Sequence, residues 1–127
     1  MVPEELKYTE NHVWVLRTGE EEARIGITDN AQGRLGAVVS AHLPRVGEIL
    51  AVGQGMGQVK SAGAAFDVYA PLSGKVVAVN DELALNSGAV NDDPYGEGWL
   101  VAIDLTDTGE PVDLLGAVTY ERLVHQG

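Results

Sequence analysis

The chain has 127 residues, 45% hydrophobic and 21% charged, enough for one packed domain spanning residues 1–127. Its 19 acidic and 8 basic residues leave a net charge of −11, which repels phosphate backbones and anionic lipid surfaces and so argues against nucleic acid and membrane partners. The absence of cysteine removes disulfides, thiol nucleophiles and thiolate metal sites; with no basic start or apolar run in Met1–Lys7 and no stretch of membrane-span length, the expected setting is the cytoplasm.

Along the chain, His12 to Leu16 and Ala23 to Ile27 read as strands separated by the turn Arg17-Thr18-Gly19-Glu20. Thr28 or Asp29 caps a short helix through Leu35, ended by Gly36, and Ala37 to His42 is the next strand. A near-repeat follows. Val46-Gly47-Glu48-Ile49-Leu50-Ala51-Val52 is echoed by Ser73-Gly74-Lys75-Val76-Val77-Ala78-Val79, each a glycine, a charged residue and an apolar run. A turn glycine feeding a short buried strand, twice over, predicts two similar halves of one β structure. The residues between the copies, including Lys60 to Asp67, then form an exposed hairpin, with Phe66 to Tyr69 as a strand. Asp81 to Leu85 is a weak helical turn and Leu100 to Leu105 a strand. Pro111 to His125 sets Leu114, Leu115, Val118 and Leu123 at near-helical spacing, although Gly116 weakens that helix.

Chemistry-bearing patterns are sparse. Gly53-Gln54-Gly55-Met56-Gly57 is followed by a strand pattern rather than a helix, so its glycines serve bends and close backbone approach rather than phosphate binding. His12, His42 and His125 lie at no zinc-ligand spacing, and no G-x-S-x-G elbow occurs. Asp92, Asp93 and Glu97 lack the alternate spacing of a calcium loop and read as a tight turn set by Pro94, with Tyr95 and Trp99 packed beneath it. No metal site and no enzymatic activity are expected.

Several blocks do carry a family signal. They are Tyr8-Thr9-Glu10-Asn11-His12-Val13-Trp14-Val15, Gly26-Ile27-Thr28-Asp29-Asn30-Ala31-Gln32, Tyr69-Ala70-Pro71-Leu72-Ser73-Gly74 and Val90-Asn91-Asp92-Asp93-Pro94-Tyr95-Gly96-Glu97-Gly98-Trp99-Leu100. In order and spacing the chain resembles the glycine cleavage system H protein, of the lipoyl-domain family. The resemblance implies a mostly β, lipoyl/biotinyl-type barrel-sandwich of two antiparallel sheets with short helical additions and a C-terminal helix. It also implies a monomeric, non-enzymatic carrier. The family's lipoyl arm moves between glycine decarboxylase (P protein), an aminomethyltransferase (T protein) and dihydrolipoyl dehydrogenase (L protein), after loading by a lipoate transferase or ligase.

The family's hairpin, roughly V-E-S-V-K-A-A-S-D-x-Y-A-P, falls without a gap on this chain, placing its glutamate on Lys60, its serine on Ser61, its lipoyl lysine on Gly63 and its aspartate on Asp67. Glycine has no amine to acylate. No lipoate is expected at the usual site, and lipoate is expected at all only if Lys60 is used; Lys60 stands three residues before the tip and, by strand alternation, on another face. Val13 replaces the glutamate of H-E-W, Asn30 follows the T-D motif, and Ala37 replaces the acidic residue of L-G-D-V-V. By resemblance Val13, Asn30 and Asp67 are positions of the cleft that shelters the arm. The leading expectation is therefore a carrier fold acting as a scaffold, decoy or regulator of partner enzymes. The alternatives are a working aminomethyl or acyl carrier through Lys60, and a small-molecule binding module using the vacated cleft.

Overall fold

A computed structural model describes residues 2–105 and 114–126. The elements are β1 (Lys7–Tyr8), β2 (Val13–Arg17), β3 (Glu22–Ile27), α1 (Asp29–Leu35), β4 (Val38–His42), β5 (Ile49–Leu50), β6 (Gly55–Ser61), β7 (Ala65–Tyr69), β8 (Gly74–Val79), a 3-10 turn (Asp81–Ala84), α2 (Ala89–Asp92), β9 (Val101–Leu105) and α3 (Ala117–Gln126). They build a six-stranded sheet in the order β1-β2-β3-β9-β8-β5 and a three-stranded sheet in the order β4-β6-β7. Every pairing is antiparallel. The main core lies between the sheets, with Val13, Ile25, Val76 and Ile103 from one meeting Val38, Val59 and Val68 from the other. Two antiparallel sheets with small helical additions are what the resemblance implies.

The strand β2 is buried on both faces. Val13 and Val15 enter the main core, whereas Trp14 joins a second cluster with Leu6, Tyr8 and Tyr120. The indole has room because its cross-strand partner is Gly26, where a Cβ would stand 2.5 Å from the ring. Strand β2 starts one residue later than the pattern predicts, because His12 adopts φ 64°. That left-handed conformation is uncommon outside glycine and turns the chain before the ladder begins.

The helix α1 forms as its sequence dictates. Thr28 is extended, its Oγ1 accepts from Ala31 N at 3.3 Å, and Gly36, at φ 90°, closes the other end by donating to Gln32 O at 3.0 Å. The C-terminal helix begins later than the spacing suggests. Leu115 pairs with Tyr8 in a β-bridge, so residues 114–115 are extended rather than helical, and Gly116 separates them from Ala117. Its inner face is Ala117, Tyr120 and Val124, not the leucine row, and Val118 is 69% exposed. The expected start at Pro111 lies outside the described residues.

The near-repeat takes an unexpected form. Its two copies lie side by side, Ile49 opposite Lys75 and Leu50 opposite Gly74, with Gly47 N donating to Val76 O and Val76 N to Glu48 O. Of the first copy only Leu50 is buried; Val46, Ile49 and Val52 face solvent, because β5 is a two-residue edge strand with no neighbour beyond it. Close approach explains Gly57, where a Cβ would collide with the His42 carbonyl.

Candidate functional site

The strands β6 and β7 form a hairpin with the register Gln58 to Asp67, Val59 to Phe66 and Lys60 to Ala65. Ser61 N donates to Ala64 O at 2.9 Å and closes the turn, which leaves Ala62 and Gly63 at the apex. Gly63 is exposed, its φ lies outside the left-handed region, and a Cβ there would meet nothing within 4 Å. Neither backbone conformation nor crowding demands glycine at this position. A longer side chain would project into open space.

Alternation sorts the rest of the ribbon. Val59 points inward and is fully buried, while Lys60 leaves on the outer face between Ser40 of β4 and Ala65 of β7. Gln58 and Asp67 share that outer face, joined by Gln58 Nε2 donating to Asp67 Oδ1 at 2.6 Å. Lys60 is thus an exposed lysine on the flank of the sheet, before the turn rather than on it.

The three positions assigned to the arm cleft differ in their surroundings. Val13 has no exposed surface and lies in the main core, so it lines no groove. Asp67 belongs to the outer face of the hairpin. Asn30, on α1, borders a groove of about 180 Å³ against α3, with Val2, Asp29, Glu121, Val124 and His125 around it. The Asn30 Oδ1 atom is buried there with no hydrogen-bond partner.

At one side of this groove stands Tyr120, which the sequence reasoning passed over. Its hydroxyl lies 2.7 Å from Thr28 Oγ1 and 2.6 Å from His12 Nδ1, and its ring stacks on Tyr8 at 4.7 Å. Burial pushes the phenol up to about 12. Burial first, then the Arg34 charge, holds His12 below its ordinary value. The available signal was the spacing Ala117, Tyr120, Val124, one helical face that puts an aromatic hydroxyl opposite the α1 cap.

The Pro94 turn is held by its own carboxylate. Asp93 Oδ2 accepts from Glu97 N at 2.9 Å, Asp93 O accepts from Gly96 and Gly98, and Pro94 O accepts from the Trp14 indole at 2.9 Å. Tyr95 and Trp99 pack against the second cluster, as expected for a structural turn. Among the described residues no group of three or more histidines and carboxylates is placed to hold a metal ion.

The family model for the glycine cleavage H-protein matches residues 6–127. This chain belongs to the glycine cleavage H-protein family. Its similarity to the H protein of Mycobacterium sp. (strain KMS) is 53% identity over 104 residues, 82% of this chain and 79% of that protein. To the H protein of Aeromonas salmonicida it is 44% over 125 residues, 98% and 97% of the two chains. A crystal structure of the Mycobacterium marinum H protein superposes with a TM-score of 0.88 at 35% identity, covering 98% of this chain and 99% of that one. The barrel-sandwich is therefore shared along nearly the whole length. H proteins are non-enzymatic lipoyl carriers within the glycine cleavage system, and the family interacts with the P, T and L proteins. No described helix is long and apolar enough to cross a membrane.

Proposed function

We propose that this protein keeps the H-protein carrier fold but carries no lipoate at the hairpin apex, and that it acts on the glycine cleavage enzymes as a scaffold, decoy or regulator in a reducing, cytoplasmic setting. The supporting observation is Gly63. Lipoylation forms an amide between the lipoyl carboxyl group and a primary amine, and the apex residues Ala62 and Gly63 have none. Lipoate therefore does not fit this apex chemically, although the space for it is open. The partners on this reading are the P, T and L proteins.

Lys60 is the alternative acceptor, favoured by its exposure on β6 close to the turn. Against it stands its position on the sheet's outer face, where the ribbon gives a transferase a strand rather than an apex to engage.

Intact-mass measurement after incubation with lipoate ligase, lipoate and ATP separates the two. The wild-type protein should keep its mass. Gly63→Lys combined with Lys60→Glu, which restores the family's hairpin pattern, should gain one lipoyl group. A lipoyl adduct on the wild-type chain that Lys60→Arg abolishes would overturn the proposal in favour of the Lys60 carrier. The regulatory part has its own test: added to glycine decarboxylase and a lipoylated H protein, this chain should change the decarboxylation rate or the binding of the lipoylated carrier. No change in either would sink it.

A further inference from the structure

The six-stranded sheet ends in β1 on one side and β5 on the other. The β1 edge is covered, since Tyr8 N donates to Leu115 O at 2.8 Å and Leu115 N to Tyr8 O at 2.7 Å. The β5 edge has no such cover among the described residues. Val76 O accepts from Gly47 N at 2.7 Å and Val76 N donates to Glu48 O at 2.9 Å, so Val76 turns its backbone groups toward β5. Its neighbour Lys75 therefore turns its own toward β9, and Ile49, the cross-strand partner of Lys75, points its N–H and C=O off the sheet. One residue thus offers a donor and an acceptor side by side. The complement of that pair is the same residue run antiparallel.

The side chains repeat this symmetry. Val46 and Val52 are spaced evenly on either side of Ile49, and the three are 61%, 51% and 63% exposed in that order. A two-fold axis through Ile49 brings the Val46 end of one copy to the Val52 end of the other, so each copy's exposed apolar edge is covered by its counterpart.

Charge leaves this face open to a second copy. The chain as a whole repels itself at −11, yet the stretch from Gly36 to Val79 contains Arg45, Lys60 and Lys75 against Glu48 and Asp67, so the whole acidic excess lies outside it. Two copies that meet at β5 approach by the face where neither opposes the other.

We propose that this chain forms a two-fold dimer by pairing β5 with β5 of a second copy, each copy's Ile49 N–H donating to the other's Ile49 C=O. Because β5 is a two-residue strand, one partner uses up the edge and the assembly closes at the dimer. The monomer that the family resemblance implies is the dilute form, and the pairing is independent of what the hairpin carries. The test is sedimentation of the full chain from about 20 μM to about 1 mM. The wild type should rise from the mass of one chain toward that of two. Ile49→Lys, which sets two ammonium groups against each other at the axis, should weaken the dimer about tenfold or more at unchanged Tm. Val118→Ser, at an exposed apolar site on α3, should stay within about twofold. Hydrogen exchange reads the backbone part: the Ile49 amide should exchange about threefold or more slowly at the concentrated end than at the dilute end. A single-chain mass throughout the range overturns the dimer, and species that grow past two chains overturn its closure. A dimer that ignores Ile49→Lys, or that leaves the Ile49 amide unprotected, overturns the pairing through β5.

Discussion

Tyr120 completes a relay in which Ala31 N donates to Thr28 Oγ1, Thr28 meets the phenol, and the phenol meets His12 Nδ1. With the imidazole neutral and its proton on Nε2, Tyr120 donates to His12 Nδ1 and accepts from the Thr28 hydroxyl, so both hydroxyls of the relay have partners. Tyr120→Phe should therefore lose about 1–2 kcal/mol in urea denaturation, since two partners are stranded in a buried site. The pH dependence follows from His12. Because its folded value lies below 6.5, the unfolded chain takes up the proton first as pH falls. Stability is greatest above 6.5 and declines below it, the loss levelling off once folded His12 is also protonated. His12→Gln should flatten that slope as pH falls below 6.5 in parallel denaturation curves. Tyr120 acts at the other extreme: raised from 10.0 to about 12, it contributes stability that is present below 10 and lost as pH climbs through 12. None of this was legible from the residues singly. A tyrosine in a helical segment carries no mark of its partner, and Val13 was assigned to the cleft only because it stands where the family has the glutamate of H-E-W, whereas an apolar side chain at that place is buried in the core.

Among the elements, the ribbon of β6 and β7 contains glycines of opposite meaning. Gly57 is required by sterics: its missing Cβ leaves room for the His42 carbonyl where β4 crosses close. Gly57→Ala should cost about 1–3 kcal/mol in chemical denaturation by forcing β4 from β6. Gly63→Ala, at an unstrained and open position, should be neutral or stabilising by up to about 1 kcal/mol. Half of the contrast was legible in the sequence: close backbone approach is expected within Gly53 to Gly57, whereas nothing there shows that Gly63 stands in open space. The elements with local signals were readable: α1 from Thr28 and Gly36, and the 3-10 turn from Asp81 to Leu85; the hairpin followed from its place between the two copies of the near-repeat. Where a long-range contact decides, the pattern misled. Leu115 has helical spacing but is captured by Tyr8, and Val46 to Val52 has the composition of a buried strand but lies on an edge.

For the molecule as a whole, a net charge of −11 on a small fold means self-repulsion that counterions relieve. Raising monovalent salt from about 10 mM to about 150 mM shortens the screening length from about 30 Å to about 8 Å, and Tm should rise by a few degrees. The overall architecture was within reach of the sequence because its blocks run nearly end to end.

The freedom around Gly63 has a practical side. In a chain without cysteine, Gly63→Cys would install a single addressable thiol at the ribbon's end, in space that a fluorophore or spin label can occupy. Emission or line shape from that probe would report the approach of an enzyme to the apex, turning the position that on the proposed reading carries no cargo into a sensor of who comes to collect it.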